Sequence, residues 1–341
     1  MNLIDGIVRE ASEWSALRRD LHAHPELGFE EHRTSERVVE CLTRLGIEVH
    51  RGLAATGVIG LVHGRDGGAS GRLVGLRADM DALPILEENR FEHASRHAGT
   101  MHACGHDGHT VMLLAAAGHL ARTRAFDGTV VLIFQPAEEG RGGAQAMLRE
   151  GLFERYPVEA VFGLHNWPGY PAGTLAVDPG PVMASANTFA IQLLGRGGHA
   201  ALPHLTLDPV PVACQLVQAL QTIVSRSLRP IDTAVLSVTM VHAGEVTNVV
   251  PDACRIEGTV RAFSSDVVDV IESRLKTLSH HVAQAHGLGC EVEFLRRAPP
   301  VINHPREAAF AASVMTQIVG QAQVPTQVPA MASEDFAFML Q

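Results

Sequence analysis

Chemistry-bearing residues recur in this sequence just after short apolar runs. The run Leu73–Leu76 leads into Arg77-Ala78-Asp79-Met80-Asp81, the run Thr129–Phe134 leads into Glu138 and Glu139, and the run Ala160–Leu164 ends against His165. In open α/β sheets ligands bind outside the carboxyl ends of the strands, and three such ends carrying Asp, Glu and His are hard to explain as packing. A fourth segment, MHACGHDGHT, sets His102, Cys104, His106, Asp107 and His109 in what reads as a loop before a helix. Cys104 and His106 are two apart, so on extended backbone both can face one point. Thiolate and imidazole are good ligands for zinc and similar divalent metals.

The adjacent Glu138 and Glu139 suit a division of labour. Neighbouring side chains on extended backbone point different ways, so one can bind a metal while the other takes a proton from a water acidified by it. A bound divalent ion lowers that water's pKa toward about 7. Taken alone, the pair also fits a solvated acidic start to a helix. Further on, LLGRGGHAALPH places Gly195, Gly197 and Gly198 beside His199. The glycines permit a tight backbone path, and a histidine there can polarise a carbonyl or stabilise an oxyanion. The spacing is not that of a dinucleotide fingerprint. No His-Glu-x-x-His, nucleophile elbow or phosphate loop is present.

The elements that must position these residues fall into two groups. In the first, Leu3, Ile4, Ile7, Val8 and Leu17 suit one face of an opening helix, and Thr34–Leu45 reads as a second helix ended by Gly46. Strands are predicted at Gly57–Val62, Leu73–Leu76, Thr129–Phe134 and Ala160–Leu164, with a helix over Thr110–Leu120 between two of them. The expected fold class is α/β, a mixed central sheet flanked by helices. The middle of the chain reads strand Thr188–Leu194, helix Pro209–Leu228, strands Thr233–His242 and Ala253–Phe263, helix Asp266–His286 and strand Cys290–Leu295. That order, β-α-β-β-α-β, is ferredoxin-like and suggests an inserted domain, with Pro299-Pro300 marking the return.

Composition narrows the classes further. The 341 residues suffice for about two domains. A formal net charge of −10 argues against nucleic acid, whose binding rests on clustered Lys and Arg. Five scattered cysteines with no Cys-x-x-Cys pair read as reduced and intracellular, implying a cytoplasmic location. The N-terminal stretch lacks the unbroken apolar core of a signal peptide, and no stretch approaches the ~18 apolar residues of a membrane span.

The segments LRADMDALP, MHACGHDGHT, LIFQPAEEG, FGLHN, GRGGHAALPH, NVVPD, GTVRAF and SEDFA appear in order. Together they resemble the hippurate hydrolase and auxin-conjugate hydrolase branch of the aminoacylase/carboxypeptidase metallopeptidase family, from about His22 to the end of the sequence. The resemblance implies a zinc-peptidase-like catalytic domain with two divalent metal ions (Mn, Zn or Ni) over residues 1–184 and 298–341. It also implies an inserted dimerisation, or lid, domain over 185–297, and hence a homodimer. By the same resemblance Cys104, His106, Glu139 and His165 match metal ligands, and Glu138 matches the general base. Asp81 matches the residue that orients a ligand, and Asp79 stands where related branches carry a ligand. His199 matches a lid histidine reaching the substrate carbonyl, often across a dimer. Asn248 and Arg261 match positions near the substrate carboxylate. The implied activity is hydrolysis of N-acyl-L-amino acids. A dipeptidase or an N-acetyl-diaminopimelate deacetylase on the same scaffold, or a non-catalytic metal-stabilised dimer, are the alternatives. The family pattern continues past SEDFA to a further ligand histidine, so a chain ending at Gln341 is expected to bind metal less strongly.

Overall fold

The computed structural model describes residues 7–341, and of Asp66 the backbone alone. Leu3 and Ile4 lie outside the described residues. Two compact units are present, one formed by Met1–Thr174 with Phe338–Gln341 and the other by Leu175–Ala337.

In the first unit, helices α1 (Ala11–Ala23) and α2 (His32–Arg44) precede strands β1 (Glu48–Leu53), β2 (Gly57–His63) and β3 (Leu73–Asp79). Helix α3 (His106–Thr123), strand β4 (Thr129–Gln135), the short helices α4 (Gly143–Arg149) and α5 (Leu152–Arg155) and strand β5 (Ala160–Gly163) follow. The five strands form one sheet in the order β1-β2-β4-β3-β5. β1, β2 and β4 pair antiparallel, whereas β3 runs parallel to both β4 and β5. The sheet is therefore mixed, and the carboxyl ends of β3, β4 and β5 share one edge. Trp14, Leu17 and Leu21 of α1, Val38 and Leu42 of α2 and Leu114 of α3 form one core with Val58, Leu132 and Phe134 of the sheet. The outer strand β1 exposes Glu48, His50 and Arg51, while β5, at the other border, is four residues long.

The helix predicted over Thr110–Leu120 begins earlier, at His106. The supposed loop MHACGHDGHT therefore holds His106, Asp107 and His109 in the first turn of α3. Gly105 supplies the reason. Its φ of 90° turns the chain into the helix, and Asp107 adds the negative charge that a helix start favours. Nor do the adjacent glutamates begin a helix, since α4 starts only at Gly143.

The second unit contains β6 (Gly180–Met183), β7 (Ala186–Leu194), β8 (Gly198–His199), α6 (Pro209–Thr222), β9 (Ala234–His242), β10 (Val249–Val250), β11 (Ala253–Ala262), α7 (Ser265–Ala285), β12 (Gly289–Ala298), β13 (Val301–Asn303) and α8 (Pro305–Val319). Its main sheet has the order β12-β7-β11-β9 with every pair antiparallel. Alternate residues of β7 and β11 are buried, among them Phe189, Ile191, Leu193, Ile256 and Val260. They pack against Leu216 and Leu220 of α6 and Ile271 and Leu275 of α7 in a second core. The predicted helix Pro209–Leu228 is α-helical only to Thr222, and Ile223–Ser227 continues as a π-turn. Short pairs β6–β13 and β8–β10 complete this unit's strands. Among the described residues, no helix is long and apolar enough to cross a membrane.

Candidate metal centre

The shared edge of β3, β4 and β5 gathers the predicted residues of the first unit. Asp79 closes β3, and Glu138 and Glu139 follow the end of β4. His165 follows β5, and Cys104 and His106 flank the glycine that opens α3. The ligand-capable atoms of Cys104, His106 and His165 lie within 4.8 Å of one another, and so do those of His106, Glu138 and Glu139. Both trios use His106, so one imidazole joins the thiol side of the site to the carboxylate side.

The two imidazoles are oriented alike. His106 Nδ1 lies 3.1 Å from Asp81 Oδ1, and His165 Nδ1 lies 2.5 Å from the carbonyl oxygen of Asn166. Each acceptor fixes the proton on Nδ1 and leaves the Nε2 lone pair for a ligand. His165 Nε2 stands 3.4 Å from Cys104 Sγ. His106 Nε2 and Glu139 Oε1 are buried and make no hydrogen bond, at 3.9 Å from each other. Buried polar atoms are normally satisfied, and an imidazole lone pair facing a carboxylate oxygen and a thiol is a donor set that a divalent cation satisfies.

A third trio, Asp79, His106 and His109, also has its ligand-capable atoms within 4.8 Å. Here the partners are already committed. Asp79 Oδ1 lies 2.6 Å from His109 Nδ1, and Asp79 Oδ2 accepts from Arg77 at 2.7 Å. His109 Nε2 sits against Asn166, 2.5 Å from Oδ1 and 3.0 Å from the backbone nitrogen. Arg77 also donates to Gln135 Oε1 at 2.8 Å. Asp79 and His109 thus read as a buried support that ties β3 to the loop carrying His165. The sequence offered a signal for part of it, because Arg77 and Asp79 share one face of β3 by strand alternation.

Electrostatics favour positive charge at this point. Burial alone would depress His106, yet Asp79, Asp81 and Cys104 outweigh it and push the imidazole up to about 12. Burial would raise Asp79, but Arg77, His106 and His109 hold it well below the usual carboxylate range. Burial pushes Glu139 and the Cys104 thiol up, so the thiol requires a cation to become a ligand thiolate. His102, named with the same segment, takes no part in these trios. It is buried with both ring nitrogens unpaired, and burial pushes it down to about 4.

The remaining predicted residues are in the second unit. His199 lies in β8 opposite Val249, and the Asn248 carbonyl accepts the Ala200 N–H at 3.0 Å, so His199 and Asn248 are neighbours. His199 Nδ1 accepts the Ala201 N–H at 3.1 Å, which places its ring proton on Nε2 as a donor. Arg261 on β11 is half-buried, and its guanidinium is engaged with Thr259 Oγ1 and the Val260 carbonyl of its own strand.

A mixed sheet that gathers thiol, imidazole and carboxylate donors at the carboxyl ends of its parallel strands defines a metallohydrolase. The chain belongs to peptidase family M20/M25/M40, whose model matches residues 75–341. It is 39% identical over 339 residues to a hippurate hydrolase of Campylobacter jejuni, covering 99% of this chain and 88% of the relative. It is 40% identical to an N-acetyl-L-cysteine deacetylase of Bacillus subtilis, with 95% and 77% covered. An IAA-amino acid hydrolase of Arabidopsis thaliana is 41% identical over 96% of this chain and 74% of its own. Among solved structures, a dinuclear metal-binding peptidase of the M20 family from Bacillus subtilis superposes with a TM-score of 0.83 at 35% identity, over 96% of this chain and 85% of that one.

Proposed function

We propose that this chain is a metal-dependent amidohydrolase that cleaves the amide bond of N-acyl-L-amino acids, releasing a carboxylic acid and a free amino acid. The observation that carries the reading is the convergence of unpaired buried donors, His106 Nε2 and Glu139 Oε1, beside Cys104, His165 and a second glutamate. The names of the three relatives share an acyl group on an amino-acid nitrogen, which is the bond this site would act on.

In this reading Cys104, His106, Glu139 and His165 hold two divalent ions, a number supported by the dinuclear neighbour. Thiol and imidazole suit zinc or nickel, and the carboxylates suit manganese. When bound, such ions supply Lewis-acid polarisation of water and of the amide carbonyl. Glu138 is the general base: it takes the proton of the attacking water and returns it to the departing amine nitrogen. Asp81 holds His106 through Nδ1 and so keeps Nε2 turned to the ligand position. His199, with its proton on Nε2, donates to the developing oxyanion, and Asn248 and Arg261 receive the substrate carboxylate. Residues 185–297 form an inserted dimerisation domain. The exposed Val235, Met240 and Val241 on the outer strand β9 support a homodimer. Five free cysteines support a reducing, cytoplasmic location.

The direct test is amine release from a panel containing hippurate, acetyl and indoleacetyl amino acids, dipeptides and N-acetyl-diaminopimelate. Manganese or zinc is added, with chelator as the control. Metal-dependent release from the acyl-amino acids is expected. Glu138→Gln should retain metal while turnover drops by roughly 10²–10⁴-fold, the usual weight of a positioned base. Substantial residual turnover in that variant would remove Glu138 from the role.

A further inference from the structure

Glu31 is fully buried, belongs to no metal-capable trio among the described residues and stands 107 residues before Glu138 in sequence. It occupies the N-cap position of α2, where its carbonyl accepts the Ser35 N–H at 2.9 Å, yet its side chain does not cap that helix. The carboxylate is directed instead at the segment before the paired glutamates. Oε1 accepts the Ala137 N–H at 2.8 Å, and Oε2 accepts the Thr56 hydroxyl at 2.6 Å.

Ala137 has a φ of 55°, the left-handed region that a residue with a Cβ rarely occupies. Both of its backbone groups are tied: Glu31 takes the N–H, and the Ala137 carbonyl accepts the Gly143 N–H at 3.0 Å. The surroundings are fitted to this turn. A Cβ on Gly28 would come within 2.9 Å of Ala137 Cα, and one on Gly143 would strike the Pro136 carbonyl. Two residues on, the Glu139 N–H donates to Asp81 Oδ2 at 2.9 Å. Glu138 thus sits between two carboxylate clamps, Glu31 on one side and Asp81 on the other.

We propose that Glu31 is a positioning residue for the reaction, holding Ala137 in the left-handed turn that sets the direction of Glu138. This rests on the reading of Glu138 as general base. Strained non-glycine backbone persists only where its surroundings over-determine it, and Glu31 is the side chain that does so here. Glutamine at position 31 keeps an acceptor for the Ala137 N–H, and alanine removes it.

The test uses the metal-loaded full chain. Glu31→Ala should lower kcat by about tenfold, equal to about 1.4 kcal/mol of barrier. KM and metal affinity should each stay within about threefold, as expected when an interaction made in the transition state is lost. Glu31→Gln should retain kcat within about threefold. Adding Ala137→Gly to the Glu31→Ala variant should restore most of the lost kcat, because glycine adopts the left-handed turn without a clamp. A purely structural loss would not respond this way, since glycine loosens the chain further. Unchanged kcat in Glu31→Ala, or a double variant no faster than the single one, would overturn the proposal. Amide exchange of the wild-type chain needs neither turnover nor a folded variant. The Ala137 N–H should be protected although it lies in a turn, and exchange at an open-loop rate would overturn the clamp independently of the role given to Glu138.

Discussion

Asp81 uses both carboxylate oxygens, one for His106 Nδ1 and the other for the amide of Glu139. Both contacts are donor to acceptor, so the residue must offer two acceptors at once. Asp81→Ala is expected to weaken metal binding by about 10–100-fold, the range seen when a ligand's orienting partner is lost. Asp81→Asn should fall nearer to alanine than to wild type, because its NH₂ group would face one of the two donors. Chelator competition measures both, and an asparagine variant with wild-type affinity would show that one acceptor is enough. Much of this site was readable from residue type and spacing. The two-residue step from Cys104 to His106 and the paired glutamates after an apolar run announced themselves. The role of Glu31, and the link from Asp79 to His109, were not readable. Each is defined by a partner distant in sequence, His109 for Asp79 and Ala137 for Glu31, and nothing in a lone acidic residue states which distant backbone it will face.

At the scale of elements, α1 and α3 are joined by a partly buried group of charges. His22 of α1 meets Asp107 of α3 at 2.9 Å and Glu87 at 3.2 Å, and Arg18 donates to the same Asp107 oxygen at 2.8 Å. His93 and His102 also face this ring. The hydrogen bond to Asp107 raises His22 above its ordinary 6.5, against the opposing effect of burial. A raised folded-state value means the charged ring stabilises the fold fully below pH 6.5, and that contribution fades as pH climbs through the raised value. Urea unfolding of the wild type and of His22→Gln should therefore differ most in mildly acidic buffer and converge in alkaline buffer. A gap that widened with pH would contradict the assignment. Thr110, the helix start expected from composition, lies four residues inside α3 for a related reason. His, Asp and Gly in succession look like loop composition, and only the positive φ of Gly105 lets them enter the helix at once.

Across the whole molecule, the β-α-β-β-α-β order was legible because the central strands and the long helix of the second unit keep a clean period. β7 and β11 alternate, and α7 carries its buried Val268, Ile271 and Leu275 on one face. The small pairs β6–β13 and β8–β10 were not, since two to four residues carry no period to read. The four-stranded sheet closes its own core with α6 and α7. A fragment spanning residues 185–297 is therefore expected to unfold cooperatively by itself, read by circular dichroism during heating. A fragment without a melting transition would show that this sheet depends on the rest of the chain.

The order of the first sheet has a consequence for the chain during synthesis and refolding. An exposed strand at a sheet border is a template on which another molecule can add a strand, the first step of aggregation. Here one border displays Glu48, His50 and Arg51 and the other is four residues long. The apolar strands β2, β4 and β3 are each flanked on both sides. A molecule that has formed this sheet before its loops are in place already shields its most adhesive segments, so crowded nascent chains have little edge on which to join.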